Sequence, residues 1–376
     1  MKLVVSRISF SDHINRNKPI SFIVNSVFNL FFSTLRLISK HLAYENSNLL
    51  IISLHRLGDT IFTIPAIKEV QKHYKKKIII ACYPESVPIY KLAFKDIHFF
   101  ELDHQEFYFN DRLAKFKAKK KLKMLRPEII IDLIGSMSSA SLIFNLRAKE
   151  IVGMNRIQFK AIYDHYVEFR ESPQLIDIYL DVISSVIKIP DRYELKRIAQ
   201  STNPKGKILI HPFATWREKE WNLNKFIELA LKLKKDYQVN FISPPGKLYT
   251  DVQDEIKSEG INIIESNSVD EFIENIRECS IFIGNDSGPV NIANFLGRPT
   301  YTIYGATNPD YTATSREHQL YILKKLGCSA RSNEKFCIVG GAAFICSGIQ
   351  CMNLLSVDEI YNQLKPLADE YCTRKF

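Results

Sequence analysis

No stretch of this sequence reaches the ~20 consecutive apolar residues that a bilayer span needs, so a membrane-crossing helix is not expected. No Gly-x-Gly-x-x-Gly follows any strand-like run, which disfavours a dinucleotide-dependent dehydrogenase. The seven cysteines contain no Cys-x-x-Cys spacing. For Cys328, Cys337, Cys346 and Cys351 reduced structural thiols are therefore expected, ahead of a metal or a disulfide. No secretory leader with a cleavage site opens the chain, so a reducing cytoplasm is the expected setting. Short repeats and low-complexity tracts are missing too.

What is present is a globular composition of 46% hydrophobic and 24% charged residues over 376 positions, long enough for two domains. A net charge of +10 favours polyanionic partners: nucleic acid, an anionic membrane or a phosphorylated substrate. The dense basic run KFKAKKKLKMLR at 115–126 has no aromatic stacking platform or base-reading motif beside it, so nucleic acid is not expected. Two readings remain for that run: contact with acceptor phosphates or a membrane leaflet, or a solvated helix face.

Residues 1–46 differ from the rest. Between Pro19 and Ala43 apolar side chains (Phe22, Ile23, Val27, Phe28, Phe31, Phe32, Leu35, Ile38) alternate with polar ones (Asn25, Asn29, Ser33, Arg36, Lys40) at helical spacing. The pattern is that of an amphipathic extension. It fits a helix lying on a membrane surface, its basic residues meeting anionic headgroups, or one packed on its own domain or a second subunit.

From residue 47 short apolar runs alternate with helical patterns. LLIISL (49–54), KIIIACY (77–83) and EIIIDLIG (128–135) mark a doubly wound domain over 47–190. A polar linker at 191–206 follows. The pattern then restarts in 207–355 with KILIHPFA (207–214), QVNFISPP (238–245), INIIES (261–266), SIFIG (280–284) and PTYTIYG (299–305). A last helical stretch, 356–376, is expected to cross back onto the first domain. The expected fold class is α/β, with two Rossmann-like domains and a cleft between them.

Three turns at strand ends carry candidate chemistry. In GNDSGPVNIA the amides of Ser287 and Gly288 open a helix, where anions such as phosphate bind, and Pro289 suits the first helical turn. Asp286 would repel a diphosphate, so it suits a sugar or ribose hydroxyl; taken alone, capping by Asp286 or Ser287 is the plainer reading. In HPFATWREKEW (211–221), Thr215, Arg217 and Lys219 precede Trp221, and Lys219 is placed to neutralise a diphosphate leaving group or else to lie in solvent. In SLHRLGDTIFTIPAI (53–67), Asp59 follows Gly58 at a helix start, either as a base for an attacking hydroxyl or as an N-cap. His55 and Arg56 beside it orient an anionic acceptor or face water.

Together these turns resemble glycosyltransferase family 9, the lipopolysaccharide heptosyltransferases, over about residues 49 to 365. Gly58, Asp59 and Pro65 match that family's opening turn and helix, and Lys219 and Trp221 its Lys-x-Trp loop. Asp286, Ser287 and Gly288, then Gly297, Pro299, Tyr304, Gly305, Thr307 and Pro309, match its late signature. There are two departures: Asn291 stands where the family has histidine, and Lys247 and Leu248 follow the glycine of a loop that often carries an acid.

The resemblance implies a GT-B fold, a nucleotide-sugar donor held by the second domain, and a lipid-anchored lipopolysaccharide acceptor on the first. Asp59 would activate the acceptor hydroxyl for one inverting displacement, with His55, Arg56 and Gly58 at the acceptor. Thr215, Lys219, Asp286, Ser287, Gly288 and Asn291 would meet the donor. No cofactor or metal is expected, in keeping with the absence of Asp-x-Asp. Rival readings are a nucleotide-sugar epimerase, which would need more acid/base groups, and a non-catalytic binder, which Asn291 keeps open.

Overall fold

The structure, a computed structural model, describes residues 18–45, 48–169, 174–189, 206–313, 319–332, 334–337, 346 and 348–372. It divides into two compact units, Met1–Glu194 and Leu195–Phe376. The linker expected at 191–206 lies, but for Gly206, outside the described residues.

The first unit contains β1 (Asn48–Ile52), β2 (Lys77–Cys82), β3 (His98–Glu101), a small antiparallel hairpin of β4 (Phe107–Tyr108) and β5 (Leu113–Ala114), then β6 (Ile129–Asp132), β7 (Glu150–Met154) and β8 (His165–Val167). Six of these strands form one parallel sheet in the order β3-β2-β1-β6-β7-β8. Its central strands are continuous apolar runs because helices cover both faces. Leu49, Leu50, Ile51 and Ile52 are all buried, as are Ile130 and Ile131 opposite them. The helix Leu57–His73 returns from β1 along the sheet, burying Ile61, Phe62, Ile64, Ile67 and Val70 despite an internal Pro65.

The second unit repeats the plan. Strands β9 (Lys207–His211), β10 (Gln238–Ser243), β11 (Asn262–Glu265), β12 (Cys279–Asn285), β13 (Thr300–Tyr304) and β14 (Gln319–Leu323) form a parallel sheet in the order β11-β10-β9-β12-β13-β14. Counted within its own sheet, each unit therefore has the order 3-2-1-4-5-6 of a Rossmann fold. In such sheets the ligand crevice lies outside the carboxyl ends of strands 1 and 4, where the winding reverses. Here those strands are β1 and β6 in one unit and β9 and β12 in the other.

Two terminal helices complete the units. Lys18–His41 packs on the short turn Ile157–Ile162, with Phe32 against Phe144 and Phe159. Its Arg36 guanidinium is buried, pairs with Asp164 and donates to the carbonyl of Ala148 at 2.9 Å. The last helix, Val357–Tyr371, packs within the second unit: Ile360, Leu364, Leu367 and Ala368 share one buried cluster with Leu229, Leu233 and Tyr237. Its Lys365 also pairs with Asp236 at 3.2 Å.

Candidate functional site

In the second unit the crevice end of β9 and β12 is stitched by one side chain. Asn285, the last residue of β12, donates from Nδ2 to the carbonyl of Pro212 at 2.6 Å and accepts from the Trp221 amide at 3.0 Å. A side chain at Gly284 would bring its Cβ to 2.8 Å from the His211 carbonyl, so the close approach of these strand ends requires glycine. Between Pro212 and Trp221 the chain makes a single helical turn, Arg217–Lys219. Trp221 anchors that turn from below: it is buried, meets Phe226 edge-on at 4.9 Å, and its indole donates to the Leu355 carbonyl at 3.2 Å. The tryptophan positions the loop, and Lys219 projects from it.

Lys219 and Asp286, which the sequence placed at the donor for different reasons, meet each other. Lys219 Nζ lies 2.6 Å from Asp286 Oδ2, and 4.8 Å from the centre of the Trp216 ring. The Thr307 hydroxyl donates to the same carboxylate oxygen. Asp286 is thus held by two donors and does not cap the following helix. Ser287 stands at the N-cap of Gly288–Phe295 with extended backbone, yet its hydroxyl makes no cap bond; it is buried without a hydrogen-bond partner. Buried polar atoms are normally satisfied, so an orphaned hydroxyl at a helix start, next to a lysine, fits a site that completes its bonds with a ligand. Gly288 opens the helix, Asn291 is buried in its next turn, and Thr215 is exposed on the loop above.

Thr307 was legible in the Tyr-Gly-x-Thr turn but was not assigned to the site. It arrives there because Gly305 lets two turns touch: a Cβ at Gly305 would sit 2.4 Å from the Glu218 carbonyl. The sequence also did not show a cavity of about 540 Å³ beside this group, lined among others by Pro212, Phe213, Arg217, Trp221, Lys247 and Tyr249. Its volume lies in the usual range for small-molecule sites. Lys247, one of the departures noted above, is one of its walls and lies 5.7 Å from the Phe213 ring centre.

In the first unit His55, Arg56, Gly58 and Asp59 lie together where β1 turns into its helix. The N-cap there is Arg56, exposed and making no side-chain cap bond, and Asp59 sits in the first helical turn, exposed. The N-cap reading of Asp59 is thereby replaced: its carboxylate is presented to solvent two residues inside the helix start. Burial, and then the charge of Asp59, hold the Tyr179 hydroxyl well above its ordinary range. His55 is buried, with Nε2 3.1 Å from the Leu133 carbonyl and its ring edge-on to Tyr179 at 5.0 Å. Gly58 is buried beneath the turn.

Across the reversal point, at the end of β6, lies an acid not singled out from the sequence. Asp132 is fully buried, accepts from the Tyr163 hydroxyl at 2.7 Å and from the Ile134 amide at 2.9 Å, and burial pushes its carboxyl up to about 6. The one signal for it was an acid closing an apolar run.

Among the described residues no group of His, Cys, Asp or Glu is placed to hold a metal ion. The cysteines are free thiols, and burial, then its neighbours Cys337, Cys346 and Cys328, raise that of Cys351 to about 11.

Comparison with known proteins agrees with the geometry. The family model for glycosyltransferase family 9 (heptosyltransferase) matches residues 115–339. The chain is 22% identical over 271 residues to lipooligosaccharide heptosyltransferase 2 of Campylobacter jejuni, covering 69% of this chain and 80% of the relative. Among solved structures, the ADP-heptose lps heptosyltransferase II of E. coli superposes with a TM-score of 0.65 at 15% identity, over 86% of this chain and 99% of that one. E. coli heptosyltransferase WaaC with ADP gives 0.62 at 15% identity, over 86% and 99%. The two Rossmann-like units are thus those of a GT-B fold, and the chain belongs to glycosyltransferase family 9, the heptosyltransferases.

Proposed function

We propose that this glycosyltransferase moves a heptose from ADP-heptose to a lipopolysaccharide or lipooligosaccharide core precursor, by a single inverting displacement that needs no metal ion. The observation that supports this best is the Lys219–Asp286–Thr307 group beside the unpartnered Ser287 hydroxyl. The second unit, about 207–355, takes the donor. Its diphosphate meets Lys219 and the amides of Ser287 and Gly288, while Thr215 and Asn291 hydrogen-bond to donor oxygens. Asn291, unlike a histidine, adds no charge there. The nucleoside lies toward the cavity walled by Phe213, Arg217 and Lys247.

The first unit, about 47–190, takes the acceptor, with Arg56 on its anionic groups and His55 and Gly58 shaping the turn. Asp59 accepts the proton of the attacking hydroxyl. That oxygen bonds to the anomeric carbon as the bond from this carbon to the diphosphate oxygen breaks, and ADP leaves with the electron pair. Lys219 and the helix amides carry the charge that develops. Because such an acceptor is lipid-anchored, the reaction belongs at the cytoplasmic face of the inner membrane, in peripheral contact with it.

The test is a transfer assay comparing ADP-, GDP- and UDP-linked sugars on a core-precursor acceptor, with calorimetry of each free nucleotide. Turnover with ADP-heptose ahead of the others is expected; equal or better use of a GDP- or UDP-linked sugar would refute the donor assignment.

A further inference from the structure

The helix Lys18–His41 is mounted inside out. The positions that face its own unit are Asn25, Asn29, Phe32, Leu35, Arg36 and Ser39, a helical stripe in which four of the six are polar. The large apolar side chains point the other way. Leu30 and Leu37 are 73% and 70% exposed, and Val27, Phe31, Ile38 and Leu42 are exposed with them. Soluble proteins normally bury the apolar stripe of such a helix and leave the polar one in water. Here the polar stripe is spent on structure: Arg36 pairs with Asp164 and donates to the carbonyls of Ala148 and Lys149, and Lys40 reaches the same aspartate at 2.7 Å. Those bonds fix the helix in this orientation.

A cationic helix is linked to it through one shared ring. Phe116–Met124 carries Lys117, Lys119, Lys120, Lys121 and Lys123, with no acid in its length. Lys119 Nζ sits 4.7 Å from the centre of the Phe144 ring, which packs edge-on to Phe32 at 6.1 Å. Just beyond both helices, the Arg126 guanidinium lies 5.6 Å from the Tyr44 ring centre. Lys117 shares a cavity with Glu101, Asp103 and Glu106, whereas Lys120 and Lys123 are exposed and neither is ion-paired with an acid among the described residues. Exposed Phe116 and Met124 stand between the lysines.

We propose that the outward face of Lys18–His41 and the lysines of Phe116–Met124 form one docking surface for an anionic lipid bilayer. Val27, Leu30, Phe31, Leu37 and Ile38 enter the boundary between headgroups and acyl chains, and Lys120 and Lys123 meet the phosphates. The charge selects lipid over a second copy of the chain: a face-to-face dimer about this surface brings two lysine clusters of one sign together, whereas an anionic leaflet neutralises them. The inference gives a surface and a lipid class to the peripheral contact named above and rests on that reading. Binding is measured with no substrate present, so its failure and a failure of sugar transfer are read separately.

The experiment is co-sedimentation of the full-length protein with vesicles of phosphatidylethanolamine and phosphatidylglycerol (3:1), and with vesicles of phosphatidylcholine alone. Binding to the first and not the second is expected, weakening as salt rises. Neutralising Lys120→Gln and Lys123→Gln together should lower the partition coefficient by about 25-fold, at about fivefold for each lysine. Leu30→Asp with Phe31→Asp should lower it by at least about tenfold. Both variants alter exposed side chains, so their melting temperatures and their transfer to a detergent-solubilised acceptor should match wild type. Equal sedimentation of either variant and wild type would overturn the proposal. So would a wild-type protein that ignores anionic vesicles and sediments in ultracentrifugation as a dimer dispersed by Leu30→Asp.

Discussion

Lys219 Nζ and Asp286 Oδ2 are 2.6 Å apart, and the oxygen that holds the lysine is also the one that Thr307 donates to. A lysine so held is kept extended toward the crevice rather than collapsed onto the surface. It is also in competition, because a bound diphosphate must draw the same ammonium. Lys219→Ala should weaken ADP binding by about 10- to 100-fold and transfer by about 100- to 1,000-fold. Asp286→Asn should have the opposite sign for ADP, raising affinity while lowering turnover. Calorimetry on the two variants separates the roles: equal losses in both would mean that the carboxylate only aims the lysine.

Asp59 is solvent-facing in the first turn of Leu57–His73, where an acid can collect a proton. Asp59→Asn keeps the shape and removes the basicity. Transfer should fall by about 100- to 10,000-fold, with ADP affinity within about twofold of wild type. Near-normal turnover would remove Asp59 from the chemistry.

Gly305 is where the Thr307 turn and the Lys219 turn touch. Gly305→Ala would press a methyl group to within 2.4 Å of the Glu218 backbone oxygen, which has no flexible end to swing away. A cost of about 1–3 kcal/mol to the second unit is expected, as for other overpacked sites, together with weaker ADP binding. Thermal melting and calorimetry on one sample check both.

Arg36 and Asp164 are both largely buried, with side chains 7% and 13% exposed. Arg36→Ala leaves Asp164 to Lys40 and the Ile151 amide, and leaves the carbonyls of Ala148 and Lys149 short of a donor. A loss of about 2–3 kcal/mol in the first unit is expected, below the roughly 3–5 kcal/mol of a buried pair broken outright, because Lys40 still faces the acid. Arg36→Lys should recover only part of it, because an ammonium lacks the fork that reaches all three acceptors.

Burial lowers the His211 imidazole from 6.5 to about 4. Between those values the unfolded chain holds a proton that the folded one does not, so stability rises with pH from about 4 to 6.5 and is level above. The gain is on the order of 3 kcal/mol. Asp132 acts oppositely: its carboxyl is raised from 3.8 to about 6, so the first unit loses stability as pH rises through that window. The difference between the urea-unfolding curves of wild type and His211→Phe, taken from pH 4 to 7, cancels the contribution of Asp132. That difference should grow with pH, and a pH-independent difference would contradict the assignment to His211.

The central strands were legible because they are buried on both faces: LLIISL, KIIIACY and SIFIG read as apolar runs and became β1, β2 and β12. The edge strands His98–Glu101 and His165–Val167 were not, since one side of each is open and their residues mix histidine, acid and aromatic side chains. The site turns were legible from glycine, proline and charge at strand ends. The Lys219–Asp286 pairing was not, because it depends on how far a three-residue turn swings, and nothing local in the sequence sets that distance. The N-terminal helix was legible as amphipathic; that its polar side is the packed one followed only from Asp164, 128 residues downstream of Arg36.

Among the described residues, every strand of the first sheet lies before residue 168, and every strand of the second after residue 206. No ladder therefore waits on a segment made much later. As the nascent polypeptide leaves the ribosome, its earlier half can close all its strand pairings before the later half is synthesised, in keeping with domains folding as units during synthesis. The slow, long-range search that parallel strands impose is thereby confined to stretches of fewer than about two hundred residues at a time.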